Sequence, residues 1–403
     1  MLSWDQSSSI ARMRQDRAWV EVDLRALAHN VRQIRGLLGS RTALMAVVKA
    51  DAYGHGATTI AQTALRAGAS WLGVATIPEG IELREAGIEA PILVLGATYT
   101  AEQIRAIARW RLQPTLCTPK QTLVFADTLA RMSAPERLPV HLKLDTGMSR
   151  LGTLWTEATE FVQLVQRSPQ LQIASVYSHL ATADDPNPQV MRQQQHRFDA
   201  AVAAIRAAGI HPAKLHLANS AATLTDRSLH YDLVRVGLAM YGLYPAPHLR
   251  QVVDLQPVLQ VKARVTQVKT LQPGTGVSYG QSFVADREMQ MAVVGIGYAD
   301  GIPRNLSNRM SGLIRGQRVP QIGAITMDQI MLDVSQVPEV QAGEVVTLLG
   351  QDGKEAISAD DWAATLGTIS WEILCSFKHR LPRIAVSQPL TDSPALSNPS
   401  ARG

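Results

Sequence analysis

The chain has little cysteine: two residues in 403, Cys117 and Cys375, far apart in sequence. They form no CxxC pair and no disulfide framework, so a reducing cytoplasm is the expected compartment. No metal is expected. No apolar stretch approaches the ~18 residues that a membrane-spanning helix needs, so no membrane partner is expected. The N-terminus, MLSWDQSSSIARMRQDR, has no apolar segment and does not read as a signal peptide. Glycine and proline, 28 and 21 residues, sit near average usage, which excludes collagen-like and low-complexity classes. Charge of one sign is also missing: 39 Lys+Arg face 34 Asp+Glu, a net +5 with no basic runs. That mild excess suits an anionic small molecule and argues against nucleic acid. Neither GxGxxG nor GxxxxGK[ST] occurs.

With 46% hydrophobic and 18% charged residues, the composition is that of a globular protein. Its length exceeds what one hydrophobic core usually supports, which predicts two domains. From Ala43 to Val236, short apolar runs alternate with segments of helical periodicity. The runs are ALMAVV (43–48), WLGVA (71–75), PILVL (91–95), QPTL (113–116), VHLKL (140–144), QIASVYS (172–178), AKLHL (213–217) and DLVRV (232–236). The fourth is weak and contains proline, but the count needs a strand there. Eight strand–helix units predict an α/β fold with an N-terminal (β/α)8 barrel. The alternative, an open doubly wound sheet, usually has fewer strands and a phosphate loop after its first strand, so the missing glycine motifs favour the barrel.

After about Leu249 the texture changes. PVLQVKARVTQVKTL (257–271) alternates over many residues, and helical periodicity is scarce until about Ser358. This predicts a mainly antiparallel β domain over 250–386, after a barrel over 18–249. Residues 18–24, AWVEVDL, read as a strand pairing with that second domain. Residues 1–17 read as a flexible N-terminus and 387–403, rich in Ser and Pro, as a disordered tail.

Barrel active sites lie at the C-terminal ends of the strands. Strand one is followed by Lys49 and Tyr53, and strand five by Lys143, Asp145 and Arg150. Strand six ends at His179, strand seven leads to Asn219 and Ser220, and strand eight holds Arg235 before Gly237. Each residue alone has a plain reading. Lys49 can be a solvated loop lysine and His179 a satisfied core histidine. Asp145 and Arg150 can be a structural ion pair, and Arg235 can sit on the outer wall. Together they say more. A lysine at an apolar strand end is partly desolvated, which favours the nucleophilic neutral amine. Ser220 and Gly237 sit after strands seven and eight, the usual phosphate site of a barrel. A phosphorylated aldehyde bound through lysine is pyridoxal 5′-phosphate (PLP), and Arg235 is a candidate partner for its ring nitrogen.

AVVKADAYGHG (46–56) resembles the PLP-lysine motif of bacterial alanine racemases. HLKLDTGMSRLG (141–152), SHLATADD (178–185), HLANSAA (216–222), VRVGLAMYGL (234–243), GVSYGQSF (276–283), GIGYADG (295–301) and AITMDQIMLDV (324–334) resemble further motifs of that family, in the same order. The resemblance covers about 17–386. It implies a barrel, a C-terminal β domain and a head-to-tail homodimer whose subunits share active sites. It implies a two-base interconversion of L- and D-alanine that supplies D-alanine for peptidoglycan. Lys49 would carry PLP and act on the D-enantiomer; Tyr279, from the partner subunit, would act on the L-enantiomer. Arg235 would face the ring nitrogen, and Tyr53, Ser220, Gly237 and Leu238 would hold the phosphate. Arg150 and the partner's Met327 would bind the substrate carboxylate. His179, Lys143 and Asn219 would support them, with Lys143 carbamylated in many members and bracing Arg150.

An arginine at the ring nitrogen tends to leave that nitrogen unprotonated, so the ring is a weaker electron sink and reprotonation at Cα is favoured over transamination. Trp371 departs from the family pattern, standing where many members have a tyrosine; indole offers one donor and more bulk. Tyr298 and Asp184 match residues near the substrate entrance. His55 is expected to cap or solvate the Tyr53 loop, Met148 and Met240 to pack, and the two cysteines to be inert buried thiols. Three other readings stand beside this one: a racemase of broader or serine specificity, a non-catalytic single-barrel PLP protein, and a barrel decarboxylase. GVSYG and AITMDQ argue against the second, and Arg235 in place of an acidic residue argues against the third.

Overall fold

The computed structural model describes residues 17–132, 136–377 and 379–386. The expectations for 1–16 and 387–403 lie outside the described residues. Arg17 is described, and it does not belong to a flexible N-terminus. Its guanidinium clamps the fully buried carboxylate of Asp300 through two bonds of 2.8 and 2.6 Å.

Eight parallel strands form the ring of the first sheet: Ala43–Val47, Trp71–Val74, Ile92–Ala97, Gln113–Leu116, Leu138–Asp145, Leu171–Tyr177, Leu215–His216 and Leu233–Val236, with the short Thr153–Leu154 pairing parallel to the fifth. The eighth strand pairs with the first, Leu233 opposite Ala43. Backbone bonds from Asp232 to Leu215 and from Arg235 to Ala218, both 3.0 Å, link the eighth to the seventh. The ring is therefore a barrel, and the open sheet is excluded. The strands read as near-continuous apolar runs because both faces are covered. The Pro-containing fourth run is a strand, Gln113–Leu116. The intervening helices bury one face each: Ile104 and Ile107 on Ala101–Arg109, and Phe198, Val202 and Ile205 on Gln189–Ala207. Thr76 with Glu79 and Thr100 with Gln103 cap helix starts reciprocally.

The second unit centres on the long strand Leu259–Leu271. It pairs antiparallel with Met289–Val294, Val345–Asp352 and the N-terminal strand Ala18–Asp23. The N-terminal segment thus crosses to the β domain, as its alternation suggested. Helices Ala359–Leu366 and Ser370–Ser376 follow. The second of these lies against the turn after Lys49, so closely that a Cβ on Gly54 would sit 2.6 Å from the Leu374 carbonyl oxygen. That contact carries Trp371 and Cys375 to the barrel mouth.

Asn30 ties the chain that leaves the barrel. Its amide donates to the carbonyls of Met240 (3.1 Å) and Gln256 (2.7 Å), and its oxygen accepts from Gln256 N–H at 2.7 Å. Between them, Gly242 has φ +86°, and a Cβ there would run into the Gln256 carbonyl. Gly242→Ala should therefore cost about 2–4 kcal/mol, from left-handed strain plus a backbone clash. Thermal unfolding would register this as a drop of several degrees; an unchanged Tm would contradict it.

Candidate active site

A cavity of about 780 Å³ opens at the C-terminal end of the barrel. Lys49, Tyr53, Lys143, Arg150, His179, Asn219, Ser220, Arg235, Gly237, Leu238 and Trp371 all line it. Tyr279 and Met327 do not. They lie on the β domain, 75% and 52% exposed.

Lys49 opens a segment with an unusual backbone. Ala50, Asp51, Ala52 and Tyr53 all have φ between 51° and 55°, a left-handed turn built of non-glycine residues. Left-handed helix disfavours L-residues by roughly 1–2 kcal/mol each, so other contacts must hold the turn. Glu79 accepts from Ala50 N–H at 2.7 Å, Asp51 accepts from Ala57 N–H at 2.8 Å, and His55 Nδ1 lies 2.9 Å from the Ala52 carbonyl oxygen. His55 thus caps the loop from inside rather than from solvent. It is buried against Tyr241 at 4.5 Å, and burial pulls it down to about 4, leaving it neutral. The turn sets Lys49 and Tyr53 on the same cavity.

Opposite Tyr53, Asn219 caps the helix Ser220–Thr225 by accepting from Ala222 N–H at 3.0 Å. Ser220 Oγ accepts from Gly237 N–H at 3.0 Å. A Cβ on Gly237 would lie 2.5 Å from the Tyr53 hydroxyl, so only glycine lets phenol, serine hydroxyl and amide converge. Burial raises the Tyr53 phenol well above its usual range, so it stays a donor.

Arg235 is buried on the inner wall, not the outer one. It donates to His216 Nδ1 (2.9 Å), His179 Nδ1 (3.0 Å) and the carbonyls of Ser178 (2.9 Å) and Leu217 (3.1 Å), and lies over the Tyr177 ring. Among the described residues it has no carboxylate partner, and its Nε makes no hydrogen bond. Burial pulls it to about 10, still a cation at neutral pH. With His179 Nδ1 accepting, the His179 proton sits on Nε2. Burial, then Arg235, holds this ring well below its ordinary value.

Asp145 orients the following loop, accepting from Gly147 (2.9 Å) and Ser149 (3.1 Å) N–H groups; among the described residues it makes no ion pair with Arg150. Lys143 is buried, and burial, then Arg235, lowers it to about 8. Lys49, Lys143, Arg150 and Arg235 thus give the cavity a cationic lining, against Asp184 as its acidic member. Such a cavity attracts anions. Cys117 is buried, as expected, but Cys375 is exposed and lines the cavity, contrary to its expected burial.

On the β domain, Ser278 Oγ donates to the Ala324 carbonyl at 2.7 Å, drawing the turn Tyr279–Gln281 beside the segment that carries Met327. Tyr298 N–H bonds Thr326 O at 3.0 Å on the same segment. Tyr279, Tyr298 and Met327 are exposed large side chains there. The sequence reading overlooked His216 and Tyr177, which pack stacked at 4.5 Å beneath Arg235. The available signal was polar residues interrupting otherwise apolar strand runs.

Fold and cavity together define a barrel enzyme with a cationic small-molecule site and an appended β domain. The family "Alanine racemase, N-terminal domain" matches residues 22–245, and "Alanine racemase, C-terminal domain" matches 258–385. An alanine racemase of Nostoc sp. is 66% identical over 96% of this chain and 100% of its own length. One of Synechocystis sp. is 65% identical over 93% of this chain and 100% of its own. The structure of alanine racemase from Bacillus anthracis with bound L-Ala-P superposes with a TM-score of 0.86 at 37% identity, covering 92% of this chain and 95% of the other. That from Streptomyces coelicolor gives 0.87 at 35%, covering 94% and 100%. The chain belongs to the alanine racemase family and is an isomerase.

Among the described residues, no helix is long and apolar enough to cross a membrane.

Proposed function

We propose that this isomerase interconverts L- and D-alanine in the cytoplasm, uses PLP held at the barrel mouth, and supplies D-alanine for peptidoglycan. The observation that carries the reading is the donor set around one cavity: an amine at Lys49, a cradle of Tyr53, Ser220 and Gly237, and an unpartnered Arg235 Nε. These groups fit an aldehyde, a phosphate and an accepting ring nitrogen in turn. Lys49 would hold the cofactor covalently, and Leu238 N–H would join the phosphate cradle. When bound, PLP supplies the delocalisation that lets a Cα proton leave.

The protein does the rest. Arg150 binds the substrate carboxylate, joined by the backbone N–H of the partner subunit's Met327. Lys49 moves the proton on one face of Cα and the partner subunit's Tyr279 on the other. His179 Nε2–H is left to donate to that phenol, and Arg235 can only donate, which disfavours protonation of the ring nitrogen. Asn219 holds Ser220 in place, and Trp371 adds bulk at the mouth. The exposure of Tyr279 and Met327, away from their own cavity, supports a head-to-tail homodimer.

Chiral chromatography of L-alanine and L-serine incubated with the purified holoprotein tests the reaction. Alanine should approach equal amounts of both enantiomers; absence of D-alanine overturns the reading, and faster conversion of serine would transfer it to a serine racemase. Borohydride should bleach the yellow protein and fix the cofactor on Lys49 by peptide mapping.

Lys143 should carry a carbamate. With its pKa lowered to about 8, a useful fraction is neutral amine near neutral pH. The nitrogen adds to carbon dioxide, a proton leaves, and the new anion can pair with Arg150 in place of a like charge. Occupancy should rise as pH climbs through about 8. ¹³C-bicarbonate NMR should show a carbamate resonance that Lys143→Ala abolishes; no such resonance at alkaline pH contradicts this.

A further inference from the structure

Beneath the cavity floor lies a row of buried polar side chains that proton transfer at Cα does not itself require. His216 accepts from Arg235 at Nδ1, and its Nε2 lies 2.8 Å from Ser175 Oγ. Ser175 Oγ is 2.6 Å from His141 Nδ1, and His141 Nε2 is 2.7 Å from Gln113 Oε1. The direction of every bond follows from one end. A guanidinium has no acceptor, so His216 Nδ1 must accept, and the neutral ring carries its proton on Nε2. That proton goes to Ser175 Oγ. The single hydroxyl proton of Ser175 then goes to His141 Nδ1, and His141 donates from Nε2 to the Gln113 amide oxygen.

Burial supports the neutral rings: it pulls His141 to about 3 and His216 well below its ordinary value. Tyr177 stacks nearly parallel to His216, at 6°. Its hydroxyl must donate to Thr115 Oγ1 (2.8 Å), because Thr115 donates to the Val94 carbonyl (2.8 Å). The flanking wall is therefore directional too. Gln113 begins the fourth barrel strand, at the N-terminal rim, and is half-buried; Arg235 lines the cavity at the opposite end. The row spans the barrel.

We propose that Gln113, His141 and Ser175 are positioning residues for Arg235: they form a one-way hydrogen-bond relay that keeps His216 an acceptor and so holds the guanidinium with its Nε available to the ligand. If His216 carried its proton on Nδ1, two donors would face each other and Arg235 would have to turn. The consequence for racemisation rests on the function proposed above, but the relay itself does not.

The test uses holoprotein labelled with ¹³C,¹⁵N-histidine. Between about pH 6 and 8, where an ordinary histidine titrates, His216 and His141 should both give neutral Nε2–H signatures. An Nδ1–H or doubly protonated ring at either position overturns the proposal. Ser175→Ala should shift the His216 signals and lower kcat for alanine by about tenfold to a hundredfold, the scale of a misaligned group. KM should change less than about twofold, since substrate contacts are untouched. Ser175→Thr, which keeps the hydroxyl, should restore both. If Ser175→Ala does not fold, Gln113 carries the test: Gln113→Lys puts a donor at the rim and should switch His141 to Nδ1–H, whereas Gln113→Glu should not. Unmoved histidine signals in Ser175→Ala, or in Gln113→Lys, overturn the relay. Correct tautomers in a protein that does not racemise alanine would instead overturn the proposed function alone.

Discussion

Co-expressed Lys49→Ala and Tyr279→Ala chains should recover about a quarter of wild-type activity, although each variant alone should be nearly dead. Random pairing makes half of the dimers mixed, and a head-to-tail mixed dimer has one site with both bases and one with neither. The physical basis is the placement of the two residues. Lys49 lines the barrel cavity, while Tyr279 is 75% exposed on the β domain and absent from that cavity. Tyr279 also shares its neighbourhood with Met327 and Tyr298, giving a second subunit's barrel mouth an exposed apolar and polar surface to cover. If one chain completed its own site, every site in the mixture would lack a base. No recovery in a preparation with demonstrated mixed dimers would refute the shared site.

The two single variants should also fail differently. On the roles proposed above, Lys49→Ala would remove both a base and the covalent attachment of the cofactor, so racemisation should fall beyond the roughly 10²–10⁴-fold typical of losing one general base. Tyr279→Phe keeps the ring and its packing but removes the proton-bearing oxygen. It should fall within that range while cofactor binding persists, because Tyr53, Ser220 and Gly237 are untouched. In deuterated water, Tyr279→Phe should still exchange the Cα proton of D-alanine, through Lys49, and be slow to exchange that of L-alanine. Equal loss of exchange for both enantiomers would contradict the assignment of the bases to opposite faces.

Much of the fold was legible because strand and helix patterns report local burial. Eight apolar runs separated by helical segments correspond to eight barrel strands, and even the weak QPTL run is one, since closing the ring requires it. The N-terminal AWVEVD alternates as a strand should with one face packed, and it pairs in the β domain. Other features had no local signature. Nothing in ADAY announces four consecutive residues at positive φ; the turn exists because distant Glu79, buried His55 and Asp51 within the turn itself hold it. Arg17, in a segment read as flexible, is fixed by Asp300, 283 residues later.

By itself, then, the sequence determined the order of elements, the division into a barrel and a β domain, and the candidate groups at strand ends. It could do so because period and motif are properties of neighbouring residues. Tertiary structure alone decided which of those groups meet. Cys375 reaches the cavity because helix Ser370–Ser376 packs on the Lys49 turn, and Tyr279 stays outside because the β domain turns it to solvent. The line from Gln113 to Arg235 draws on five different strands, and only closure of the ring brings their side chains within hydrogen-bond distance. Such convergence depends on long-range geometry, which no window of sequence contains.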